Sequence, residues 1–101
     1  MTKKLGEIAE IKTLNEKTEL SENNILILRN GKKIIKVSKN DIKEYHGKQA
    51  YFVITAKSDF IEPIFKSLNS NEFNTWFSAH AKGNALLTIS IVDLKEFEIV
   101  L

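Results

Sequence analysis

The sequence predicts an α+β fold in one domain spanning residues 1–101, with a mixed or antiparallel sheet that includes a hairpin, two packed helices and a returning C-terminal strand. Three observations predict it. Apolar and β-branched runs dominate residues 25–55, apolar residues recur at helical spacing over residues 63–80, and period-two alternation returns at residues 97–101. A chain of 101 residues, 43% of them hydrophobic, suffices for one core, and no Pro-, Gly- or Ser-rich linker divides it.

The first quarter of the chain is predicted to form a helical turn, a strand and a loop. Leu5, Ile8 and Ala9 have the spacing of one helical turn, and Ile11 fits a strand that follows. Residues 14–24 are polar, so we expect a loop there.

A β-hairpin is predicted next. The apolar run Ile25–Leu28 and the segment Lys32–Val37 flank Asn30-Gly31, and both are rich in leucine or β-branched residues. Asn-Gly is typical of a type I′ turn, in which both central residues adopt positive φ. Apolar residues fall on both faces of the two strands, so we expect each face to be covered.

The middle of the chain is predicted to be a loop and then a strand. Asp41–Lys48 is polar and contains His46-Gly47, which favours a loop or short turn. Tyr51–Thr55 is aromatic and β-branched throughout, which makes it the clearest strand of the chain.

The first of two predicted helices begins at Pro63. Proline suits the first turn of a helix, where its missing N–H leaves no hydrogen bond unmade. The apolar stripe of this helix consists of Ile64, Phe65 and Leu68.

The second predicted helix follows Ser70, which is positioned to cap it. Gly83 lies past its end, where a left-handed cap residue belongs. Its aromatic face is at helical spacing, and such a stripe forms core more often than it stacks on nucleic-acid bases. This face consists of Phe73, Trp76, Phe77 and His80.

The last segments are predicted to be extended, then helical, then extended. Leu86–Ile89 is expected to be extended. Ser90 and Asp93 have the spacing of a capping box, which would start one short turn through Leu94. Phe97–Leu101 alternates with period two and is predicted to be the closing strand.

The net charge of +2 conceals three regions of different sign. Residues 1–28 sum to −1 and residues 58–101 to −3, whereas residues 29–57 sum to +6. A basic block attracts phosphate; alternatively, its lysines form a solvated hairpin surface that keeps sheet edges from associating. The block contains one arginine, Arg29, as a candidate for bidentate recognition of guanine.

Motifs for an enzyme, a metal site or a bound cofactor are missing from the sequence. Cysteine is absent, which excludes disulfides and thiol catalysis. His46 is interpreted as a solvated loop residue and His80 as a residue at the core edge. No phosphate-binding or dinucleotide-binding glycine motif occurs. No apolar segment has the length of a membrane span or resembles a signal peptide, so a cytoplasmic location is expected.

Several stretches resemble one protein family. Lys4–Ile11 resembles the Leu-Gly-Glu/Asp-Ile-Ala/Cys-Glu-Ile opening of a target-recognition domain in the specificity (S) subunits of type I restriction–modification systems. Phe60–Ser70 resembles the helix of that family which ends in Leu-Asn-Ser, and Ala81–Ala85 resembles its glycine turn. Ile89–Leu101 resembles its Ile-Ser-x-x-Asp-Leu ending, and Asn24–Ile27 resembles its Gly-Asp-Val/Ile-Leu-Ile step.

The resemblance implies a non-catalytic DNA-binding domain. The resemblance implies an S subunit built from two target-recognition domains that are separated by long helices. In this family the helices bind the methyltransferase subunits, and the restriction subunit joins that assembly. The chain departs from the family pattern in having only Lys12–Asn23 where the family has a long, DNA-facing variable region. It also ends at Leu101, before a spacer helix. A minimal or truncated form of the domain is therefore expected.

We predict contacts to DNA from the basic block and the glycine turn. Lysines contact phosphates and position the protein, whereas Arg29 and the asparagines reach base edges. No metal or cofactor is predicted. The predicted DNA-binding residues are Arg29, Asn30, Lys32, Lys33, Lys36, Lys39, Lys82 and Asn84.

The alternative function is a protein-interaction module. Such a module would dock on a methyltransferase or specificity subunit of a type I restriction–modification system, or associate with its own copy as a homodimer. It is motivated by core motifs that are kept while the variable region is short. Retention of random duplex DNA distinguishes the two functions.

Overall fold

Six strands and five helices make up the described part of the computed structural model, which comprises residues 1–83 and 86–101. The strands are β1 (Thr2–Lys4), β2 (Ala9–Thr13), β3 (Asn24–Leu28), β4 (Ile34–Lys36), β5 (Tyr51–Ala56) and β6 (Glu98–Val100). The helices are α1 (Leu5–Ile8), α2 (Lys39–Tyr45), α3 (Ser58–Leu68), α4 (Asn71–His80) and α5 (Ile91–Leu94). None of these helices is long and apolar enough to cross a membrane.

A four-stranded antiparallel sheet forms the centre of the molecule, in the order β2-β5-β3-β4. β3 and β5 are its central strands, and almost all of their residues are buried. Continuous apolar runs of this kind suit strands that are covered on both faces. The predicted helical turn, hairpin strands and central strand are confirmed, and the α+β class is confirmed with them.

Each face of the central sheet packs against its own hydrophobic core. Successive side chains of a strand point to opposite faces, so β3 contributes Ile25 to one core and Leu26 to the other. The Ile25 core lies beneath α3 and α4 and includes Ile64 and Phe73. The Leu26 core includes Tyr45 of α2. The expectation that both faces of the hairpin are covered is confirmed.

The two ends of the chain pair with each other beside the main sheet. β1 and β6 form a two-stranded antiparallel ribbon, which confirms the predicted returning strand. The Leu5 N–H donates to the Phe97 carbonyl at 2.8 Å, and the Gly6 N–H donates to the Lys95 carbonyl at 2.9 Å. A Cβ on residue 6 would lie 2.9 Å from the Cβ of Lys95, so this close approach requires glycine.

Two serine caps begin helices at the predicted places. The Ser70 hydroxyl accepts a hydrogen bond from the Phe73 N–H at 3.2 Å, and α4 starts at the next residue. The Ser90 hydroxyl accepts from the Asp93 N–H at 3.1 Å and begins α5. Each hydroxyl satisfies one of the donors that the first turn of a helix leaves unpaired.

Pro63 lies inside α3, so the predicted start of that helix is wrong. The helix begins at Ser58, which places the proline in the second turn. There it cannot donate to the carbonyl of Asp59, four residues earlier. The helix starts earlier because Phe60 and Ile61 extend its apolar stripe against the core. Packing of an amphipathic face supplies most of the stability of a helix in a protein, and here it outweighs the lost hydrogen bond.

α2 occupies a segment for which the sequence predicted a loop or short turn, and that prediction is wrong. The backbone N–H and the hydroxyl of Ser38 both donate to Asp41 Oδ2, at 2.9 and 2.8 Å. Ile42 and Tyr45, three residues apart, give the helix an apolar side that packs against the Leu26 core. A polar segment is therefore helical because a capping interaction and two apolar residues act together.

The hairpin turn is not of type I′. Gly31 has a φ of 73°, but Asn30 does not have positive φ. The Leu28 N–H donates to the Lys33 carbonyl at 2.9 Å, so residues 29–32 form a four-residue loop. A longer loop needs only one left-handed residue, which glycine supplies.

The end of α4 also differs from the prediction. Ala81 follows the helix in an extended conformation and donates its N–H to the Phe77 carbonyl at 2.8 Å. Gly83 has a φ of 139°, outside the left-handed helical region, so it is not the expected cap. The stretch 86–89, expected to be extended, contributes an isolated bridge between Lys82 and Thr88.

Candidate nucleic-acid interface

Three chain segments meet at one end of the main sheet, which we call the hairpin end. They are residues 29–33 of the hairpin loop, residues 46–50 between α2 and β5, and residues 82 and 88–89 after α4. The Arg29 N–H donates to the Ala50 carbonyl at 3.0 Å, and the Ile89 N–H donates to the Arg29 carbonyl at 3.0 Å. Residue 82 joins them because its backbone pairs with residue 88.

The hairpin end concentrates positive charge, and its three segments contain no Asp or Glu. Two acidic residues lie beside it. Glu16 is next to Gly47, and Glu44 acts through space on Lys33. Neither carboxylate forms a salt bridge within the described residues. The basic residues of the hairpin end are Arg29, Lys32, Lys33, Lys48 and Lys82.

Two of these lysines converge on one buried tyrosine. The Nζ atoms of Lys33 and Lys48 each lie 5.1 Å from the centre of the Tyr45 ring, which packs edge-on against Tyr51 at 5.3 Å. Tyr45 is 5% exposed, so the platform is fixed by the core. Its hydroxyl raises the pKa of Lys33 by hydrogen bonding to the ammonium group. Cation–π attraction therefore orients two ammonium groups toward solvent at one place.

Arg29 is also oriented by an aromatic ring. Its guanidinium carbon lies 5.2 Å from the centre of the Phe52 ring. Its Nε is buried and has no hydrogen-bond partner among the described residues. The side chain is half-buried, so its remaining donors are available at a defined position.

A cleft of about 670 Å³ lies between the hairpin loop and α4. Asn30 and Lys32 line one side, and Asn74 and Phe77 line the other. The Asn30 side chain accepts a hydrogen bond from the Lys32 N–H at 3.0 Å, which fixes the loop. A Cβ on Gly31 would lie 2.8 Å from the Phe77 ring, so the loop approaches α4 as closely as its backbone permits.

The structure does not bring all the predicted DNA-binding residues together. Lys36 lies at the far end of β4, where its Nζ is 2.7 Å from Glu62 Oε2 and 5.5 Å from the centre of the Phe65 ring. Lys39 begins α2, also away from the hairpin end. At roughly 3.3 Å per residue, a strand separates residue 36 from residue 32 by about 13 Å. Asn84 lies outside the described residues.

Sequence reasoning missed two residues of this surface. Lys48 belongs to the basic block but is not in the predicted set, because its proximity to Lys33 depends on the path through α2. Asn74 lies one residue after Phe73 on α4 and therefore faces away from the core, toward the cleft. The sequence does offer one indication of Asn74, which is an amide side chain on the side of the predicted helix away from its aromatic face.

The two histidines lie apart from each other and contact backbone carbonyls. His46 Nε2 is 3.0 Å from the Glu16 carbonyl oxygen, and His80 Nδ1 is 2.8 Å from that of Trp76. His80 is exposed and stacks on the Trp76 ring at 4.6 Å, at the margin of the core. Within residues 1–83 and 86–101, no three His, Cys, Asp or Glu residues are grouped so that they could hold a metal ion.

Comparison with known proteins gives a match in structure but not in sequence. No family model matches the chain, and no curated protein matches it. A solved structure does match, the crystal structure of the type I restriction–modification system S subunit from M. genitalium, with a TM-score of 0.69. The chain shares its fold with this S subunit. The sequence identity is 17%, over 98% of this chain and 33% of the S subunit chain.

Three of the five stretches that resemble S subunits meet at one place in the fold, which we call the motif joint. It contains the start of the Lys4–Ile11 stretch, the end of the Phe60–Ser70 stretch and the end of the Ile89–Leu101 stretch. Beyond the bonds from residues 5 and 6, the Val100 N–H donates to the Ser67 hydroxyl at 3.1 Å. These three stretches are therefore joined by backbone and side-chain hydrogen bonds, whereas Lys82 of the Ala81–Ala85 stretch lies at the hairpin end.

Proposed function

We propose that this chain binds duplex DNA without catalysing a reaction, as a target-recognition domain of the type I restriction–modification kind. The observation that supports it best is the gathering of five basic side chains from three segments at the hairpin end, with no acidic residue in those segments. The shared fold with an S subunit supports the same function.

In this proposal the lysines contact phosphates and the remaining polar groups face bases. Lys32, Lys33, Lys48 and Lys82 form the phosphate-contacting set. Arg29 has the donor geometry that recognises guanine in the major groove. Asn30 and Asn74 have amides suited to adenine, and Asn84 from the predicted set joins them as a candidate. Lys36 pairs with Glu62 and contributes less, because its charge is already compensated.

The partners that this function implies are DNA and, by the resemblance, the methyltransferase and restriction subunits of a type I system. The proposal is also compatible with a homodimer of this chain. The proposed location is the cytoplasm, where such a system meets DNA. The proposal involves no metal ion or cofactor, since lysine side chains contact phosphates directly.

The test is the affinity for random duplex DNA, measured by fluorescence anisotropy at two salt concentrations. Neutralisation of about five phosphates predicts a slope of log affinity against log salt of about −4 to −5. Lys32→Glu with Lys33→Glu should weaken binding by about tenfold or more and reduce the slope by about 2. The reason is that two phosphate contacts are lost and repulsion is added.

Lys3→Glu with Lys57→Glu is the matched control, since it changes the net charge equally. Both residues are exposed and lie away from the hairpin end. We expect this double variant to bind like the unaltered protein, apart from a small effect of total charge. Equal loss in both double variants, or no retention of DNA at low salt by the unaltered protein, contradicts the proposal.

A further inference from the structure

A second surface, the glutamate-rimmed groove, lies between α3, α4 and β6. It has a volume of about 950 Å³. Apolar atoms dominate its floor, and carboxylates stand around it. Its lining includes Glu72, Trp76, Glu96, Glu98 and Val100. None of the hairpin-end residues lines this groove, so a role for the groove does not depend on the proposed DNA binding.

The floor of the groove exposes apolar side chains that the core does not cover. Val100 is 65% exposed although it lies in a strand beside the core. Trp76 is half-buried and is held by a stacked contact with Phe73 at 5.7 Å and a tilted contact with Phe97 at 5.2 Å, so its ring forms a fixed wall. Contiguous apolar surface rimmed by polar residues marks an interaction site.

The negative charge on the rim favours a positively charged occupant. Four glutamates and a single lysine, Lys66, line the groove. Glu62 and Glu96 have salt-bridge partners in Lys36 and Lys4. Glu72 and Glu98 have none within the part of the chain that the structure describes. An occupant with Lys or Arg around an apolar stripe is electrostatically complementary, and DNA is repelled.

The backbone geometry of the groove favours a helix over an added strand. One edge of β6 pairs with β1. On its other edge the Val100 N–H already donates to the Ser67 hydroxyl at 3.1 Å, and α3 covers that edge. With both edges of β6 occupied, an extended peptide cannot pair with this strand by hydrogen bonds. An amphipathic helix needs only apolar contact and charge on the rim.

We propose that the glutamate-rimmed groove binds an amphipathic helix of a partner protein, whose apolar stripe is flanked by Lys or Arg. The apolar stripe packs on Trp76 and Val100, and the basic flanks face Glu72 and Glu98. The groove therefore gives the domain a protein-binding surface whose charge is opposite to that of the hairpin end.

Trp76 is the single tryptophan of the chain, so its fluorescence reports directly on the groove. The probe is a tryptophan-free peptide of about 15 residues, long enough to form a helix, with a leucine stripe and lysine flanks. Its counterpart replaces each lysine by glutamate. We expect the basic peptide to shift the Trp76 emission in a saturable manner and the acidic peptide to leave it unchanged. No shift with the basic peptide, or equal shifts with both, overturns the proposal.

Two exposed valines provide matched variants. Val100→Asp places a charge on the floor, and we expect it to weaken peptide binding by about tenfold or more. Val92→Asp changes a valine that is 74% exposed on α5 and does not line the groove, so binding should remain. Both variants should melt at similar temperatures, and equal weakening overturns the proposal. A dimer of the unaltered protein that Val100→Asp dissociates, seen by sedimentation, assigns the groove to a second copy and also overturns it.

Discussion

Gly31 and Gly47 occupy nearly the same backbone conformation but have different surroundings. Their φ angles are 73° and 74°. A Cβ on Gly31 would lie 2.8 Å from the ring of Phe77, whereas a Cβ on Gly47 would lie 3.3 Å from the flexible Cγ of Glu16. The pair therefore separates the cost of a left-handed backbone from the cost of a steric clash.

Gly31→Ala should lower the free energy of unfolding more than Gly47→Ala does. The left-handed conformation costs about 1 kcal/mol in both variants. Displacement of the Phe77 ring adds about 1–3 kcal/mol for Gly31→Ala. Urea unfolding of the two variants measures the difference. Equal losses would mean that the Phe77 ring moves aside without cost, and that the hairpin loop is not fixed against α4.

The hydrogen bond to the Tyr45 hydroxyl raises the pKa of Lys33 above its ordinary value near 10.5. The folded-state pKa is therefore higher than the unfolded-state pKa. The associated stability is present in full below the unfolded pKa and is lost as the pH rises through the folded pKa. At neutral pH the ammonium group remains charged, as contact with phosphate requires.

Tyr45→Phe should lower the pKa of Lys33 toward 10.5, because the ring remains and only the hydroxyl is removed. A ¹³C titration of the lysine Cε signals measures this pKa. An unchanged Lys33 titration would show that its ammonium group does not depend on the tyrosine hydroxyl.

At the scale of the element, α3 keeps a proline in its second turn. Pro63 is half-buried at the margin of the glutamate-rimmed groove. Proline inside a helix removes a backbone hydrogen bond and crowds the preceding turn. The rigidity of proline in the unfolded chain offsets part of that cost.

Pro63→Ala should raise the free energy of unfolding by about 1–2 kcal/mol, since the restored hydrogen bond outweighs the added freedom of the unfolded chain. Thermal melts of the unaltered protein, Pro63→Ala and Pro63→Gly measure it. Glycine restores the same N–H but has poor helix propensity, so its gain should be smaller by about 1 kcal/mol. A destabilised Pro63→Ala variant would mean that contacts of the pyrrolidine ring matter more than the hydrogen bond.

The elements that the sequence predicted correctly have local signals. Tyr51–Thr55 is β-branched or aromatic at every position, and Ser70 and Ser90 are caps that act within three residues. The missed helix α2 has only Ile42 and Tyr45 as apolar residues, and they become a helix face only when the Leu26 core is present. Pro63 led to a predicted start of α3 that is too late, because packing of Phe60 and Ile61 against the core decides where this helix begins.

The candidate site was predictable in composition but not in arrangement. The basic block indicated which lysines to consider, and the hairpin placed Arg29, Lys32 and Lys33 together. The pairing of Lys36 with Glu62 and the meeting of Lys33 with Lys48 join residues 26 and 15 positions apart. Such contacts depend on how α2 and α3 pack on opposite faces of the sheet, which periodicity alone does not specify.

At the scale of the whole molecule, the net charge of +2 is divided between two separate surfaces. The hairpin end has five cations, and the glutamate-rimmed groove has four carboxylates and one lysine. If the hairpin end binds DNA as proposed, this separation of charge favours an orientation in which the acidic groove is not the surface that approaches DNA. The two proposed activities can therefore occur at the same time on one domain, and a variant at either surface should leave the other unaffected.

The motif joint also determines how this domain can be connected to other polypeptide. The Leu101 N–H donates to the Met1 carbonyl at 3.0 Å, so the first and last residues of the chain lie side by side. A domain whose entry and exit points adjoin can sit within a longer chain as an exchangeable unit, as neighbouring termini generally permit. Within a longer chain, the loops of the hairpin end would be able to vary in sequence and length while the paired ends keep the geometry of the connection.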